Sequence, residues 1–81
     1  MNKTTETAIG NNIRILREKI GMTQEVLAAK LQLRGCDITR SAVAKIEVGQ
    51  RHLYPDEIIH LKEILGTDFD SIFYGEQNKR D

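Results

Sequence analysis

The stretch from residue 23 to residue 51 constrains the fold of this chain more than any other part of the sequence. Thr23 and Thr39 each stand directly before a short segment of helical spacing, where a threonine hydroxyl can cap the first backbone N–H groups of a helix. The apolar residues at this spacing are Leu27, Ala28 and Leu31 in the first segment and Val43 and Ile46 in the second. The pattern predicts two consecutive short helices, 24–33 and 40–48, joined by a turn at 34–38 in which Gly35 can adopt a positive φ.

Apolar patterns on both sides of this stretch predict three further helices. The first runs from Thr7 to just before Gly21, with a stripe of Ile9, Ile13, Leu16 and Ile20. The fourth begins at Pro55 and ends at Gly66, with a stripe of Ile58, Leu61 and Leu65. Asp68 can cap a last short turn at 69–74. The chain is therefore predicted to be all-α, a compact five-helix domain over 7–75, with a frayed N-terminus at 1–6 and a flexible tail at 76–81.

Length and composition fit a single globular domain. Of the 81 residues, 40% are hydrophobic and 30% charged, which predicts one modest core and argues against wholesale disorder. The chain has no apolar run of membrane-spanning length and no signal-peptide pattern, and its single cysteine fits a reducing compartment. These features predict a cytoplasmic protein that makes no use of a membrane.

The net charge is zero, but the charge is unevenly distributed along the chain. Residues 1–54 contain nine Lys and Arg against five Asp and Glu, whereas residues 55–81 contain three against seven. The first part therefore carries +4 and the second −4. A basic front half suits a phosphate-bearing partner such as nucleic acid.

Three stretches, taken in their order along the chain, resemble a known family: IGNNIRILREKIGMTQEVLAAKL, SAVAKIEVGQR and LKEILGTDFDSIFYG. Together they cover roughly residues 9–75 and resemble the Cro and phage-repressor (Xre-like) helix-turn-helix family. The resemblance implies a repressor-like five-helix domain that binds a palindromic operator in double-stranded DNA as a homodimer. It implies a small transcriptional regulator, a repressor or controller, whose recognition helix, at about 39–48, enters the major groove.

The resemblance also implies DNA-contacting roles for individual residues. Arg40, Ser41 and Lys45 match the recognition-helix positions that reach base edges, and an arginine can bind guanine in bidentate fashion. Gln24 matches the glutamine that opens the second helix and contacts a phosphate; the alternative is that it is only a polar first residue of the helix. Arg51 matches a loop position near the DNA backbone. For the two cations of the recognition helix, the alternative is that they only solvate an exposed helix face.

Further residues extend this set. Thr23 and Arg34 are additional candidates for phosphate contacts, and for Arg34 a solvated surface charge is an equal alternative. Arg17 and Glu47 match a partly buried ion pair that ties the first helix to the end of the third. The turn at 34–38 is longer than the 3–4 residues common in such motifs, which leaves the angle of the recognition helix open.

The apolar end of the chain allows two interpretations. The last short turn contains more apolar residues than it needs in a monomer. The candidates for a dimer seam are therefore Ile72, Phe73 and Tyr74. In the alternative, Phe69, Ile72 and Phe73 cap the core of the monomer. A seam would present two recognition helices about one DNA turn apart.

No arrangement typical of an enzyme or a metal site occurs in the sequence. His52 and His60 have no Cys, Asp or His at metal-ligand spacing, and there is no nucleophile–base pair or phosphate-binding glycine loop. Cys36 is either a space-filling thiol or a redox switch beside the recognition helix. The sequence predicts a non-enzyme without cofactor or metal, controlled by its own concentration or by a protein regulator. The alternative function is a protein-interaction module, antitoxin-like or adaptor, that uses the same helix on a protein partner.

Overall fold

The structure, a computed structural model, describes residues 3–76 and contains no strand in that range. Its five helices are α1 (Lys3–Lys19), α2 (Gln24–Leu33), α3 (Arg40–Glu47), α4 (Pro55–Leu65) and α5 (Phe69–Tyr74). The predicted all-α, five-helix class is confirmed. None of these helices is long and apolar enough to cross a membrane. The predicted tail lies outside the described residues except for Glu76, which pairs with Lys19.

The helices pack around one apolar core. Helix α1 contacts α3 and α5, and α2 contacts α3 and α4, so α3 is supported by two helices at once. The core residues come from all five helices and from the α2–α3 turn: Ile9, Ile13, Leu16, Leu27, Ala28, Leu31, Cys36, Ile38, Val43, Ile46, Leu61, Leu65 and Ile72. Because α3 buries only Val43 and Ile46 of its apolar residues, its remaining side is left at the surface.

Helix α1 begins at Lys3, four residues before the predicted start at Thr7. Residues 3–6, predicted to fray, are helical instead. The carboxylate of Glu6 contacts the imidazole Nδ1 of His52, and Thr7 packs against Gly49 so closely that a Cβ there would lie 2.5 Å from Thr7 Oγ1. These contacts join residues far apart in sequence, which is why the local pattern gave no sign of the earlier start.

The long turn between α2 and α3 is folded into the core. At the end of α2 the N–H groups of Cys36 and Gly35 donate to the carbonyl oxygens of Leu31 and Gln32, each at 3.0 Å, and Gly35 adopts a φ of 88°. Cys36 and Ile38 are then only 7% and 0% exposed. The Gln32 amide donates to the Ile38 carbonyl oxygen at 2.8 Å. The additional turn residues therefore extend the apolar core between the two helices.

Two residues of the predicted apolar stripes are not buried. Ile20 lies beyond the last residue of α1 and is 50% exposed, because the chain already turns away there toward α2. Ile58 is only partly buried, since the inward position beside it is taken by Glu57, which binds Arg51. Helix α3 ends at Glu47, and Val48 is its C-cap rather than its last residue.

Candidate nucleic-acid interface

The outer face of α3 is polar and unobstructed. The hydroxyl of Thr39 accepts a hydrogen bond from the Ala42 N–H at 3.1 Å and fixes the start of the helix. Val43 and Ile46 point into the core, which turns Arg40, Ser41 and Lys45 toward solvent. These three residues, predicted to reach base edges, therefore share one exposed side of one helix.

Arg40 and Lys45 differ from most other cations of residues 3–76 in having no partner. Neither forms an ion pair or a side-chain hydrogen bond. The paired cations are Arg14 with Glu18, Arg17 with Glu47, Lys19 with Glu76, Arg34 with Glu63 and Arg51 with Glu57. Two uncompensated charges on one short helix make its outer face a local positive surface, which attracts anions.

A buried charged network holds α3 in place. Arg17 Nε donates to Glu47 Oε2 at 2.7 Å and Arg17 Nη2 donates to Glu47 Oε1 at 3.0 Å, while Nη1 donates to the carbonyl oxygen of Met22 at 2.7 Å. The side chains of Arg17 and Glu47 are only 9% and 1% exposed. The bidentate contact with Glu47 raises the pKa of Arg17 above its usual value. The ion pair expected from the resemblance is thus present and fully desolvated on the glutamate side.

Gln24 completes this network at the start of α2. Its amide Nε2 donates to Glu47 Oε1 at 3.0 Å, which orients the side chain toward the end of α3. One amide N–H remains for another acceptor, and the first N–H groups of α2 have no partner within the helix. Thr23 is exposed, and its hydroxyl oxygen accepts a hydrogen bond from the Val26 N–H at 3.1 Å. The two predicted phosphate contacts therefore sit together at a helix N-terminus, where an anion is favoured.

Arg34 and Arg51, the other two candidates for phosphate contacts, already bind carboxylates. Arg34 pairs with Glu63 of α4. Arg51 forms two hydrogen bonds to Glu57, at 3.0 and 3.1 Å, and this contact raises the pKa of the guanidinium. Either arginine would have to give up an ion pair to reach a phosphate.

A close approach of α1 to α3, which was not predicted from the sequence, sets the position of α3. Helix α1 crosses the end of α3 at Gly10, where a Cβ would lie 2.1 Å from the Ile46 carbonyl oxygen. Only glycine permits the two backbones to come this near. A glycine inside an otherwise apolar helical pattern was the available signal, because it lowers helix propensity and therefore suggests a packing role.

The predicted dimer seam is only partly at the surface. Ile72 is 0% exposed and belongs to the core, so its assignment to a seam is wrong. Its position one turn after the start of α5 faces α1, where Asn12 donates to the Ile72 carbonyl oxygen. Phe73 and Tyr74 are 37% and 65% exposed, and the ring of Phe73 lies between those of Phe69 and Tyr74, with a centroid distance of 6.4 Å to each. The surface part of the predicted seam is therefore an aromatic cluster on α5.

The remaining candidates form no site in the part of the chain that the structure describes. No three His, Cys, Asp or Glu side chains of residues 3–76 group as metal ligands. Cys36 is buried in the turn, and burial raises the pKa of its thiol.

Comparison with known proteins agrees with this architecture. A family model described as helix-turn-helix, of the Cro/C1 type, matches residues 13–72, which is more than half of the chain. The match spans α2, α3 and the charged network of Arg17, Gln24 and Glu47. Comparisons with curated proteins and with solved structures gave no match. This chain belongs to the Cro/C1-type (Xre-like) helix-turn-helix family of DNA-binding regulators.

Proposed function

We propose that this protein is a sequence-specific transcriptional regulator that binds a palindromic operator as a homodimer, with α3 in the major groove. The observation that carries the proposal is the exposed face of α3, where Arg40 and Lys45 lie beside Ser41 without an ion pair to any of residues 3–76. Two desolvated apolar residues behind that face and the Arg17–Glu47 pair hold it rigid, so little ordering is needed on binding. We assign the protein no catalytic activity.

Within this proposal, base edges and phosphates are bound by different parts of the helix pair. Arg40 stands at the start of α3, the end that reaches deepest into the groove, and its guanidinium can donate to O6 and N7 of one guanine. Ser41 and Lys45 contact neighbouring bases or the adjacent phosphate. Thr23 and Gln24 hold a phosphate at the N-terminus of α2, and Glu47 orients the Gln24 amide for that contact.

The homodimer part of the proposal rests on the aromatic cluster of Phe69, Phe73 and Tyr74. Three partly exposed aromatic side chains within one six-residue helix are an unusual apolar concentration on so small a surface. Pairing this cluster across a two-fold axis would present two α3 helices to one face of the DNA.

The first experiment is a selection of bound sequences from random duplex DNA, carried out at two salt concentrations. The expected result is an enriched inverted repeat with half-sites about one helical turn apart and an affinity that falls steeply with salt. Weak binding with no enriched sequence would refute the proposal and favour a protein partner for α3.

Two variants and one control locate the contacts. Arg40→Ala should cost about 1–3 kcal/mol on the selected duplex and relax the preference at one base pair. Lys45→Ala should weaken binding and lower the salt slope by about one unit if it contacts a phosphate. Lys19→Ala removes the same charge from the far end of α1, where Lys19 pairs with Glu76, and should leave the sequence preference unchanged.

A further inference from the structure

The long turn between α2 and α3 holds one carboxylate at the surface, that of Asp37. Its neighbours Cys36 and Ile38 are 7% and 0% exposed, so both of their side chains enter the core. The Ile38 N–H donates to the Cys36 carbonyl oxygen at 2.9 Å, which makes Asp37 the central residue of a γ-turn. The side chain of Asp37 therefore stands at the outside of this bend and is exposed.

Hydrogen bonds on both sides of Asp37 fix its position relative to α3. The Gln32 amide donates to the Ile38 carbonyl oxygen at 2.8 Å, which ties the turn to the end of α2. The Thr39 hydroxyl accepts from the Ala42 N–H at 3.1 Å, which fixes the first turn of α3. Because the backbone on both sides of Asp37 is held in this way, little ordering of the turn is needed when a ligand binds.

The position of Asp37 along the chain places it close to the predicted base-reading end of α3. It stands three residues before Arg40, and three residues span at most about 11 Å. That length corresponds to about three base-pair steps of about 3.4 Å. In the proposed docking mode, on which this inference rests, Arg40 reaches a base edge, so Asp37 comes within about three base pairs of it.

The charge of Asp37 has no use within the described part of the chain. Asp37 forms no ion pair and no side-chain hydrogen bond with any of residues 3–76. The neighbouring cation Arg40 has no ion pair there either. On a surface that faces DNA, an unpaired carboxylate is repelled by the phosphates, so it is unfavourable unless the DNA offers it a hydrogen-bond donor.

The major groove offers a carboxylate few donors. They are the N4 amino group of cytosine and the N6 amino group of adenine. Adenine also presents the acceptor N7 beside its amino group, which repels a carboxylate, whereas the groove edge of cytosine presents the donor alone. Cytosine is therefore the base that Asp37 fits.

We propose that Asp37 is a specificity-determining residue that accepts a hydrogen bond from the N4 amino group of a cytosine within about three base pairs of the pair contacted by Arg40. Gln32 is a positioning residue, because its amide holds the turn that carries Asp37. Any other base leaves the carboxylate without a donor beside the phosphates, so the same charge that binds cytosine also penalises wrong sequences.

The test is a selection of bound sequences from random duplex DNA with wild type, Asp37→Asn and Asp37→Ala, in which Arg40→Ala identifies the base pair contacted by Arg40. Wild type should select cytosine at a second position within about three base pairs of that one. Asp37→Asn should change this preference to adenine, because an amide can bind N6 and N7 together. Asp37→Ala should lose roughly 5–150-fold of discrimination at this position and bind random duplex more tightly.

Asp56→Asn is the matched control. It removes the same charge from an exposed position in the first turn of α4, a helix that packs against α2, and should leave every base preference unchanged. Because Asp37 is exposed, the melting temperatures of its variants should stay within about 4 °C of wild type. A larger fall together with an unchanged base preference would make Asp37 a structural residue and overturn the proposal.

The remaining outcomes separate this inference from the proposed function. If wild type selects a defined operator and Asp37→Asn selects the same one, the Asp37 contact is wrong and the proposed function stands. A similar change of preference in Asp56→Asn would also overturn the contact, since it would show a general effect of charge. Absence of specific binding by wild type overturns both.

A further variant tests the role of Gln32. Gln32→Met keeps the length of the side chain and removes the amide that donates to the Ile38 carbonyl oxygen. It should weaken the preferences at the Asp37 and Arg40 positions and leave the affinity for random duplex unchanged, because no phosphate contact is lost. Preferences as sharp as those of wild type would remove Gln32 as a positioning residue.

Discussion

Replacement of Glu47 by glutamine should destabilise this protein severely, although the change alters only one atom of the side chain. The carboxylate is 1% exposed and accepts hydrogen bonds from Arg17 and Gln24. Glutamine retains the shape but leaves the buried guanidinium of Arg17 with only the exposed carboxylate of Glu18, 3.9 Å away, as a counter-charge. Breaking a buried pair in this way costs about 3–5 kcal/mol.

That cost is a large part of the total free energy of unfolding of such a domain. At about 0.05–0.15 kcal/mol per residue, a chain of this length is stabilised by about 4–12 kcal/mol. The melting temperature of Glu47→Gln should therefore fall by on the order of 15–30 °C, measured by circular dichroism or calorimetry. At temperatures above the lowered melting temperature, DNA affinity should fall as well, because α3 is no longer held against α1.

The matched control is Glu63→Gln, which removes the charge from an exposed ion pair with Arg34. Those two side chains are 49% and 38% exposed, so the loss should stay below about 1 kcal/mol. A loss of similar size in both variants, or an unchanged melting temperature in Glu47→Gln, would refute the reasoning that burial makes the Arg17–Glu47 pair important.

The pH dependence of this effect follows from the direction of the Arg17 shift. The hydrogen bonds to Glu47 raise the folded pKa of Arg17 above its usual value, so its stabilising contribution is complete at every pH below that usual value and is lost only as the pH rises through the folded pKa. The stability difference between wild type and Glu47→Gln should therefore show no contribution from Arg17 titration between about pH 6 and about pH 9. Denaturant titrations of both proteins at three pH values measure this difference in the free energy of unfolding.

Further variants test other parts of the structure. Gly10→Ala should destabilise by about 1–3 kcal/mol in urea titration despite the better helix propensity of alanine, because its Cβ would meet the Ile46 carbonyl; equal or higher stability would contradict the close approach. Cys36 should react with a thiol reagent only after unfolding, since burial raises its pKa, and rapid native reaction would revive a redox role. Phe73→Ser should shift sedimentation toward the monomer if the α5 cluster is the seam, and an unchanged profile would exclude it. Gln24→Ala should weaken DNA binding with little loss of melting temperature; unaltered affinity would remove it from the phosphate contacts.

Much of this architecture was predictable because it depends on interactions between residues that are close in the sequence. Thr23, Thr39 and Asp68 each cap the helix that follows, as predicted, because a side-chain oxygen reaches N–H groups only two or three residues away. The glycines after helices mark ends for the same local reason. Family resemblance added the Arg17–Glu47 pair, which joins residues 30 positions apart and which no periodicity indicates.

The pairing of charges and the burial of individual apolar residues depended on contacts between residues that are distant in the sequence. The sequence by itself determined five helices, the N-caps of three of them, most of the core and a recognition helix with cations on its outer side, because caps and stripes act within a few residues. Only the tertiary structure decided which cations are paired: it joined Arg34 and Arg51 to carboxylates of α4 and gave Arg40 no ion pair within residues 3–76. It also placed Ile72 inside and Leu33 outside. The physical reason is that the burial of an apolar side chain and the pairing of a charged one depend on its neighbours in space. The sequence directly shows only the neighbours along the chain.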